Sequence, residues 1–375
     1  MVPKHHSTMK RMLLLASIVV PLSALAAQPS ATAPPAPVGR TLLAWMPGEV
    51  RCEGGAVSAT AVRRPWTTLG WGSSPAPNTE LRYRFRIDAS GRPLSIRRDG
   101  NAGAWGGEDI APSLAASSFA AGSPRTDCTI GYALQQTPLQ EAPVGDLISY
   151  SLTPLSGRLP AEGWARIQAP DTSCNTEPRP RPLLQAYPDF QALPGTPGVK
   201  HWSMLAYDLN KKGRPIGVRT THGTGNAALD RAAVEAMRTS RFAGGPRTGC
   251  LYPMWRGPTT LVAPEAPAED ALRPANSTCP HDDDWATAPK LSYAKPYNRR
   301  SIEGWAVIAF DVAPWGALGN LRVLASEPTE DFGEQAMRVL GSATKPPSAT
   351  GRTGCVERVM FKIGYGGLPP EEDPA

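Results

Sequence analysis

The sequence lacks several patterns that would point to a catalytic or metal-binding protein. It contains no Gly-x-Ser-x-Gly segment, with which many serine hydrolases expose a nucleophile at a sharp turn. It contains no Cys-x-x-Cys segment, the common spacing of zinc and redox sites. Histidine is scarce, with only 5 residues in the chain. These absences favour a protein without catalytic groups, cofactor or metal.

Long apolar runs are also missing beyond the N-terminus. Residues 12–22 are apolar, follow Lys10 and Arg11, and precede Ala24-Leu25-Ala26, as in a cleavable signal peptide. We therefore predict a signal peptide at residues 1–26 and a periplasmic location, with an uncleaved membrane anchor as the alternative. Without residues 1–26 the formal net charge falls from +6 to +3, a balance that does not favour nucleic acid as a partner.

Six cysteines remain in the predicted exported chain, and their even number suggests disulfides. Six cysteines allow 15 pairings, so the spacing must choose among them. Three successive pairs are each separated by 76 positions, which favours one bridge within each of three similar units. The predicted bridges are Cys52–Cys128, Cys174–Cys250 and Cys279–Cys355.

The chain also contains an internal repeat that begins with a strand. Apolar and charged residues alternate in residues 81–87, as in a half-buried strand. Shifts of 122 and then 103 residues place apolar side chains at the same positions. The matched residues are Tyr83, Phe85 and Ile87, then Leu205, Tyr207 and Leu209, then Ile308, Phe310 and Val312. Gly91, Gly213 and Gly316 follow at these shifts, so each repeat predicts a β-hairpin.

A helix and a final strand are predicted after each hairpin. Asn226 can cap a helix whose apolar stripe is Leu229, Ala233, Ala236 and Met237. The third repeat has Phe332, Ala336, Val339 and Leu340 at the same positions. The first repeat keeps fewer of these apolar residues, and its helix is expected to be shorter. The motif Arg-Thr-x-Cys then leads to a last strand, best defined at residues 356–363.

The predicted fold class is α+β, with three tandem small domains. Each domain has a short antiparallel sheet, one or two helices on one face and one disulfide. Residues 146–152 are a candidate for an additional strand between domains. The predicted boundaries are a signal peptide at 1–26, an Ala/Pro-rich linker at 27–40, domain 1 at 41–135, a linker at 136–170, domain 2 at 171–257, a Pro-rich linker at 258–278, domain 3 at 279–367 and a tail at 368–375.

The second repeat resembles the C-terminal domain of TonB-type energy transducers. That domain has a hairpin with a glycine turn, then a helix with the pattern Leu-Asp-x-Ala-Ala and a later Arg-Phe. The matching residues here are Tyr187-Pro188, Leu229-Asp230, Ala232-Ala233 and Arg241-Phe242. The third repeat matches at Glu303-Gly304, Val307, Phe310 and Val312, and the first repeat matches only in its hairpin.

The resemblance implies a periplasmic two-helix, three-stranded fold that grips a short segment of an outer-membrane receptor, partly by strand addition. The chain departs from the family in its cleavable-looking N-terminus, its short Pro-rich segment, its three domains and its cysteine pairs. A soluble relative is therefore favoured over a transducer driven by the proton-motive force. The expected partner is a cell-envelope protein, for which a TonB-dependent outer-membrane receptor is one candidate.

Strand addition needs an edge strand, and the last strand of the third repeat is the expected one. The candidate partner-binding residues on it are Val356, Arg358, Val359, Met360 and Phe361. A second candidate surface is the stripe Arg82, Arg84 and Arg86, which could meet a polyanion, although a solvent-facing sheet is the simpler interpretation.

Three other features of the sequence have both a functional and a simpler explanation. His222 could act as a base in an exported hydrolase, but a surface histidine in the loop after the second strand is favoured. His281 and the acidic residues after it could bind a cation, but a solvated acidic loop is favoured. The repeated arginines Arg125, Arg247 and Arg352 could clamp a ligand, but local packing is favoured. We therefore expect no catalytic residues, no metal site and no cofactor.

Overall fold

The computed structural model describes residues 39–72, 80–100, 106–280 and 284–364. The predicted signal peptide, most of the first linker, His281 and the predicted tail lie outside these residues. Within them the chain is mixed α+β, with mostly antiparallel strands and few helices. We refer to residues 41–135, 171–257 and 279–367 as repeats 1, 2 and 3.

Repeat 1 forms a sheet of seven strands with one short helix. The alternating strand predicted at residues 81–87 is present, with Leu81, Tyr83, Phe85 and Ile87 buried on one face. The helix has only six residues, as the interrupted apolar stripe predicted. The elements are β1 (Arg40–Pro47), β2 (Arg51–Cys52), β3 (Gly55–Ala56), β4 (Ala59–Ala61), β5 (Thr68–Trp71), β6 (Glu80–Ile87), β7 (Pro93–Asp99), α1 (Ile110–Ala115), β8 (Ser118–Phe119) and β9 (Arg125–Pro138).

The segment between repeats 1 and 2 is helical, with α2 (Val144–Leu152) and α3 (Ala161–Ile167). The additional strand suggested for residues 146–152 is therefore wrong. Leu147, Ile148 and Tyr150 are buried at helical spacing, and they pack with Trp202 and Met204 of repeat 2. A short apolar segment does not distinguish a strand from a buried helix by itself, and the packing decides between them here.

Repeats 2 and 3 each contain the predicted hairpin, helix and last strand. The strand orders are β12-β11-β14 and β16-β15-β17, so the first hairpin strand is central in both sheets. The predicted apolar stripes of both main helices are buried. The elements are β10 (Arg181–Leu184), β11 (His201–Leu209), β12 (Pro215–Gly223), α4 (Ala227–Thr239), β13 (Arg241–Ala243), β14 (Arg247–Arg256), a 3₁₀ helix (Glu269–Leu272), α5 (Lys295–Arg299), β15 (Gly304–Val312), β16 (Leu318–Glu327), α6 (Glu330–Leu340) and β17 (Arg352–Phe361).

The three disulfides pair the cysteines as the spacing predicted, and each connects the N-terminal part of a repeat to its last strand. Three disulfides indicate an oxidising, extracytoplasmic compartment. In the described part of the chain, no helix is both long enough and apolar enough to cross a membrane.

Apolar clusters connect repeat 1 with repeat 3 and with one side of repeat 2, whose main core is a separate cluster. Tyr83 and Ile96 of repeat 1 belong to the same buried cluster as Tyr297, Phe332 and Phe361 of repeat 3. A second cluster joins repeat 1, α2, α3 and repeat 2. The described residues from Gly39 onward accordingly form one compact unit.

Candidate functional site

The recurring Arg-Thr-x-Cys motif begins the last strand of each repeat and contains a β-bulge. The residue before cysteine has a positive φ in all three copies, 48° at Asp127, 67° at Gly249 and 70° at Gly354. In repeats 2 and 3 an aspartate accepts a hydrogen bond from that residue's N–H: Asp208 from Gly249 at 2.8 Å and Asp311 from Gly354 at 2.9 Å. The motif therefore builds the entry to the strand.

The threonine of the motif ties the strand entry to the region of the first cysteine. Its carbonyl accepts a backbone hydrogen bond from Glu53 in repeat 1 (3.4 Å), from Ser173 in repeat 2 (3.0 Å) and from Thr278 in repeat 3 (3.0 Å). The arginine is also used locally in repeat 2, where Arg247 Nη2 donates to the Pro178 carbonyl at 2.8 Å. These contacts favour packing over a ligand clamp.

Beyond the motif, the last strands of the three repeats have the same register. The third residue after the second cysteine is Gly131, Pro253 or Arg358. These residues pair with Arg82, Met204 and Val307 of the neighbouring hairpin strand, which are also equivalent in the repeat. The outer edges of β9, β14 and β17 can therefore be compared residue by residue.

In repeat 1 the outer edge is occupied by the chain itself. β1 pairs antiparallel with the second half of β9, and β2 pairs with it at Thr129. Gly48 N donates to Gly131 O at 2.8 Å, so the backbone of Gly131 points away from β6 and toward the added segment. β9 is thus an interior strand, because β1 and β2 of the same chain pair with the edge that is outermost in the other repeats' sheets.

In repeat 2 the equivalent edge carries a proline. Pro253 replaces Gly131, so the outward-pointing position has no N–H to donate. Proline is tolerated in strands at such edge positions, and it discourages pairing with another strand.

In repeat 3 the equivalent position is Arg358, which keeps its N–H. Backbone groups alternate along a strand, so Val356 and Met360 point outward together with Arg358. Within the described residues, β15 is the one strand that pairs with β17. Thr353 is already bonded, since its backbone both donates to and accepts from Thr278. The part of the edge with which no described strand pairs therefore starts after Cys355.

Most side chains of β17 are engaged in the fold. Val359 and Phe361 are buried on the helix side, and Val356 packs with Trp305 and Val307 on the other face. The segment from residue 261 to residue 278 crosses that second face, where Arg358 Nη1 donates to the Pro267 carbonyl at 2.9 Å. In the described part of the chain, this edge therefore offers a partner the outward backbone groups of Val356, Arg358 and Met360 and the half-buried side chains of Arg358 and Met360.

The arginine stripe of β6 is matched by carboxylates. Arg82 pairs with Glu80 at 3.1 Å, Arg84 with Asp99 at 3.2 Å, and Arg86 with Glu327 of repeat 3 at 2.8 Å. A shallow cavity of about 380 Å³ lies on this face and is lined by three arginines and three carboxylates. That balance weakens the case for a polyanion surface.

His222 lies in β12, opposite Met204, and not in the loop where the sequence pattern placed it. It is exposed, and no hydrogen bond joins it to a nucleophile or a carboxylate within the residues that the structure describes. Of the acidic segment that begins at His281, only Asp284 and Trp285 are described, and the Trp285 ring stacks on Phe310. Among the described residues no group of His, Cys, Asp and Glu side chains is arranged to hold a metal.

Compared with protein-family models and with curated proteins, the chain has no match.

Proposed function

We propose that this chain is a non-catalytic periplasmic protein made of three tandem domains related to the TonB C-terminal domain. It binds an extended segment of a cell-envelope protein, and the segment adds as a strand to the outer edge of β17. A TonB-dependent outer-membrane receptor is one candidate partner.

The observation that carries this proposal is the difference between three equivalent edges. The chain's own β1 and β2 cover the edge in repeat 1, Pro253 removes an N–H from it in repeat 2, and Arg358 keeps the N–H in repeat 3. Repeat 1 also supplies a precedent, because a segment of this chain already pairs at that edge. An edge with outward N–H and C=O groups is the usual platform for strand addition.

The test is to place in repeat 3 the proline that repeat 2 has naturally. Arg358→Pro removes the central outward N–H of the edge, and Pro253 shows that the fold accepts proline at this position. We expect Arg358→Pro to lose a partner recovered from periplasmic and outer-membrane extracts, with at least about a tenfold loss of affinity. Pull-down followed by titration of the recovered partner measures this.

Arg358→Ala is the matched control, because it removes the same side chain and its bond to Pro267 but keeps the backbone N–H. It should retain the partner. Circular dichroism must show that both variants are folded. If every protein bound by the wild type is also bound by folded Arg358→Pro, strand addition at β17 is wrong.

A membrane-anchored transducer is the alternative hypothesis, and it requires that the N-terminal segment is not cleaved. Determining the N-terminus of the protein recovered from cells decides between the periplasmic protein and the anchored transducer. A chain beginning near residue 27 fits the periplasmic protein, and a chain that retains residues 12–22 fits the anchored one.

A further inference from the structure

A cleft of about 180 Å³ lies where repeats 1, 2 and 3 meet α2. Repeat 1 contributes the consecutive residues 63–67, α2 contributes Asp146 and Ser149, repeat 2 contributes Trp202 and Thr224, and repeat 3 contributes Arg300. The cleft is smaller than the pockets of about 300–1,000 Å³ that hold drug-sized ligands. It therefore suits a ligand of a few heavy atoms.

Two of the arginines in this cleft form ion pairs with carboxylates, although the Nε atom of Arg64 is buried without a hydrogen-bond acceptor among the described residues. Arg64 binds Asp146 with two hydrogen bonds of 2.9 Å each. Arg300 is 2% exposed, donates from Nε to Asp109 Oδ1 at 2.6 Å, and also bonds to the other oxygen of that carboxylate. Asp146 is the one carboxylate among the described residues that line the cleft, and Arg64 is paired with it.

Arg63 is a third arginine in the same cleft, and no carboxylate in the described residues pairs with it. Its backbone N–H donates to Ser117 Oγ, but its side-chain Nε is buried without a hydrogen-bond acceptor among the described residues. Burial lowers the pKa of Arg63, and the nearby Arg300 lowers it further. A buried donor and an uncompensated positive charge are both unfavourable unless an anion meets them.

His201 lies beside the cleft and responds to the same positive charge. Its ring nitrogens bond to Thr224 Oγ1 at 3.2 Å and Thr196 Oγ1 at 2.9 Å. Burial lowers the pKa of His201, and Arg63 and Arg256 contribute to the lowering. Arg63 therefore places positive charge near His201 as well as near Arg300.

We propose that this cleft binds a small oxyanion, a phosphate or a carboxylate group, with the Arg63 guanidinium as its main ligand. Arginine presents several N–H donors in a planar fork that fits both kinds of oxyanion. Thr67 and Ser149 bring further hydroxyl groups to the cleft lining, and the Trp66 and Trp202 rings form its apolar walls. This inference is independent of strand addition at β17.

The test is thermal unfolding of the full chain in rising concentrations of inorganic phosphate or of acetate, at constant ionic strength. A ligand of the native state raises the melting temperature in a saturable way. We expect saturation with at least one of the two anions. Arg63→Gln should weaken the apparent dissociation constant at least about tenfold.

Arg231→Gln is the matched control, because it removes the same charge from an exposed position on α4. Its anion response should equal that of the wild type. Arg63→Gln without anion should melt no lower than the wild type, since it removes a charge next to Arg300. A response to phosphate alone or to acetate alone supports the proposal and identifies the group. No saturable response to either anion, or an equal response in Arg63→Gln, overturns it.

Discussion

At the scale of single residues, the three repeats share a glycine at the same position in their hairpin turns. Gly91, Gly213 and Gly316 have φ values of 85°, 66° and 92°, as the predicted turns require. Each is also pressed against the backbone that follows the helix. A Cβ on Gly213 would lie 1.7 Å from the Phe242 carbonyl oxygen, and the other two sites are similar. Glycine is therefore required at this position, because the φ angle is positive and because a Cβ atom would collide with backbone.

We expect Gly213→Ala to lower the free energy of unfolding by about 3 kcal/mol or more, since both the φ angle and the contact with backbone are unfavourable. Gly217→Ala is the control, because Gly217 has a similar φ of 63° but nothing within 4 Å of the added carbon. It should lose only about 1 kcal/mol. Urea denaturation of both variants measures the difference, and equal losses would show that conformation alone sets the requirement.

At the scale of elements, the repeated unit has the same order in all three copies, and its ends are defined by local chemistry. The N-cap of α4 is Asn226, whose Oδ1 accepts from Leu229 N at 3.1 Å, while its Nδ2 donates to the Pro194 carbonyl at 3.0 Å. The last strands differ in what covers them, although their registers are the same. Nearby residues therefore define where an element begins, whereas the segments that cover it are set separately in each repeat.

Asn226→Ala should lower the free energy of unfolding by about 1 kcal/mol, because the first turn of α4 loses its side-chain acceptor. Asn226→Asp keeps the acceptor and loses only the bond to Pro194, so its loss should be less than half as large. Thermal unfolding followed at a helix-sensitive wavelength measures both. Equal losses for the two variants would assign the effect to the Pro194 bond instead of the cap.

At the scale of the whole molecule, the repeats are joined by a buried ion pair as well as by apolar contacts. Asp109 of repeat 1 and Arg300 of repeat 3 are each 2% exposed, and the Arg300 guanidinium also lies over the Trp66 ring at 4.2 Å. A backbone hydrogen bond also joins these repeats, since Ile96 N donates to the Pro328 carbonyl at 2.9 Å. Repeats 1 and 3 therefore depend on each other for burial of charge and of apolar surface.

Asp109→Asn should lower the free energy of unfolding by about 3–5 kcal/mol, because it leaves Arg300 buried without a counter-charge. Glu80→Gln is the control, since it breaks the exposed pair with Arg82 and should change stability by less than about 1 kcal/mol. Denaturation followed by fluorescence and by circular dichroism should give one coincident transition for the wild type. Separate transitions for repeats 1 and 3 would contradict the shared core.

Much of the repeated unit could be predicted from the sequence because its signals are local. Alternation at residues 81–87, the stripe that starts at Leu229 and the equal spacing of the cysteines each depend on a few neighbouring positions or on a simple count. The helix at Val144–Leu152 was not predictable in this way, because a short apolar segment fits either a strand or a helix. Its packing against Trp202 favours the helix over the strand.

The sequence by itself determined the three copies, their hairpins and helices, and the pairing of their cysteines. The tertiary structure alone decided what meets the outer edge of each last strand, and it brought Arg63 and Arg300 into one cleft. Both depend on segments far apart in the chain, so no local pattern encodes them. β1 covers the edge of β9 from more than 80 residues away in sequence, and Asp109 and Arg300 are 191 residues apart.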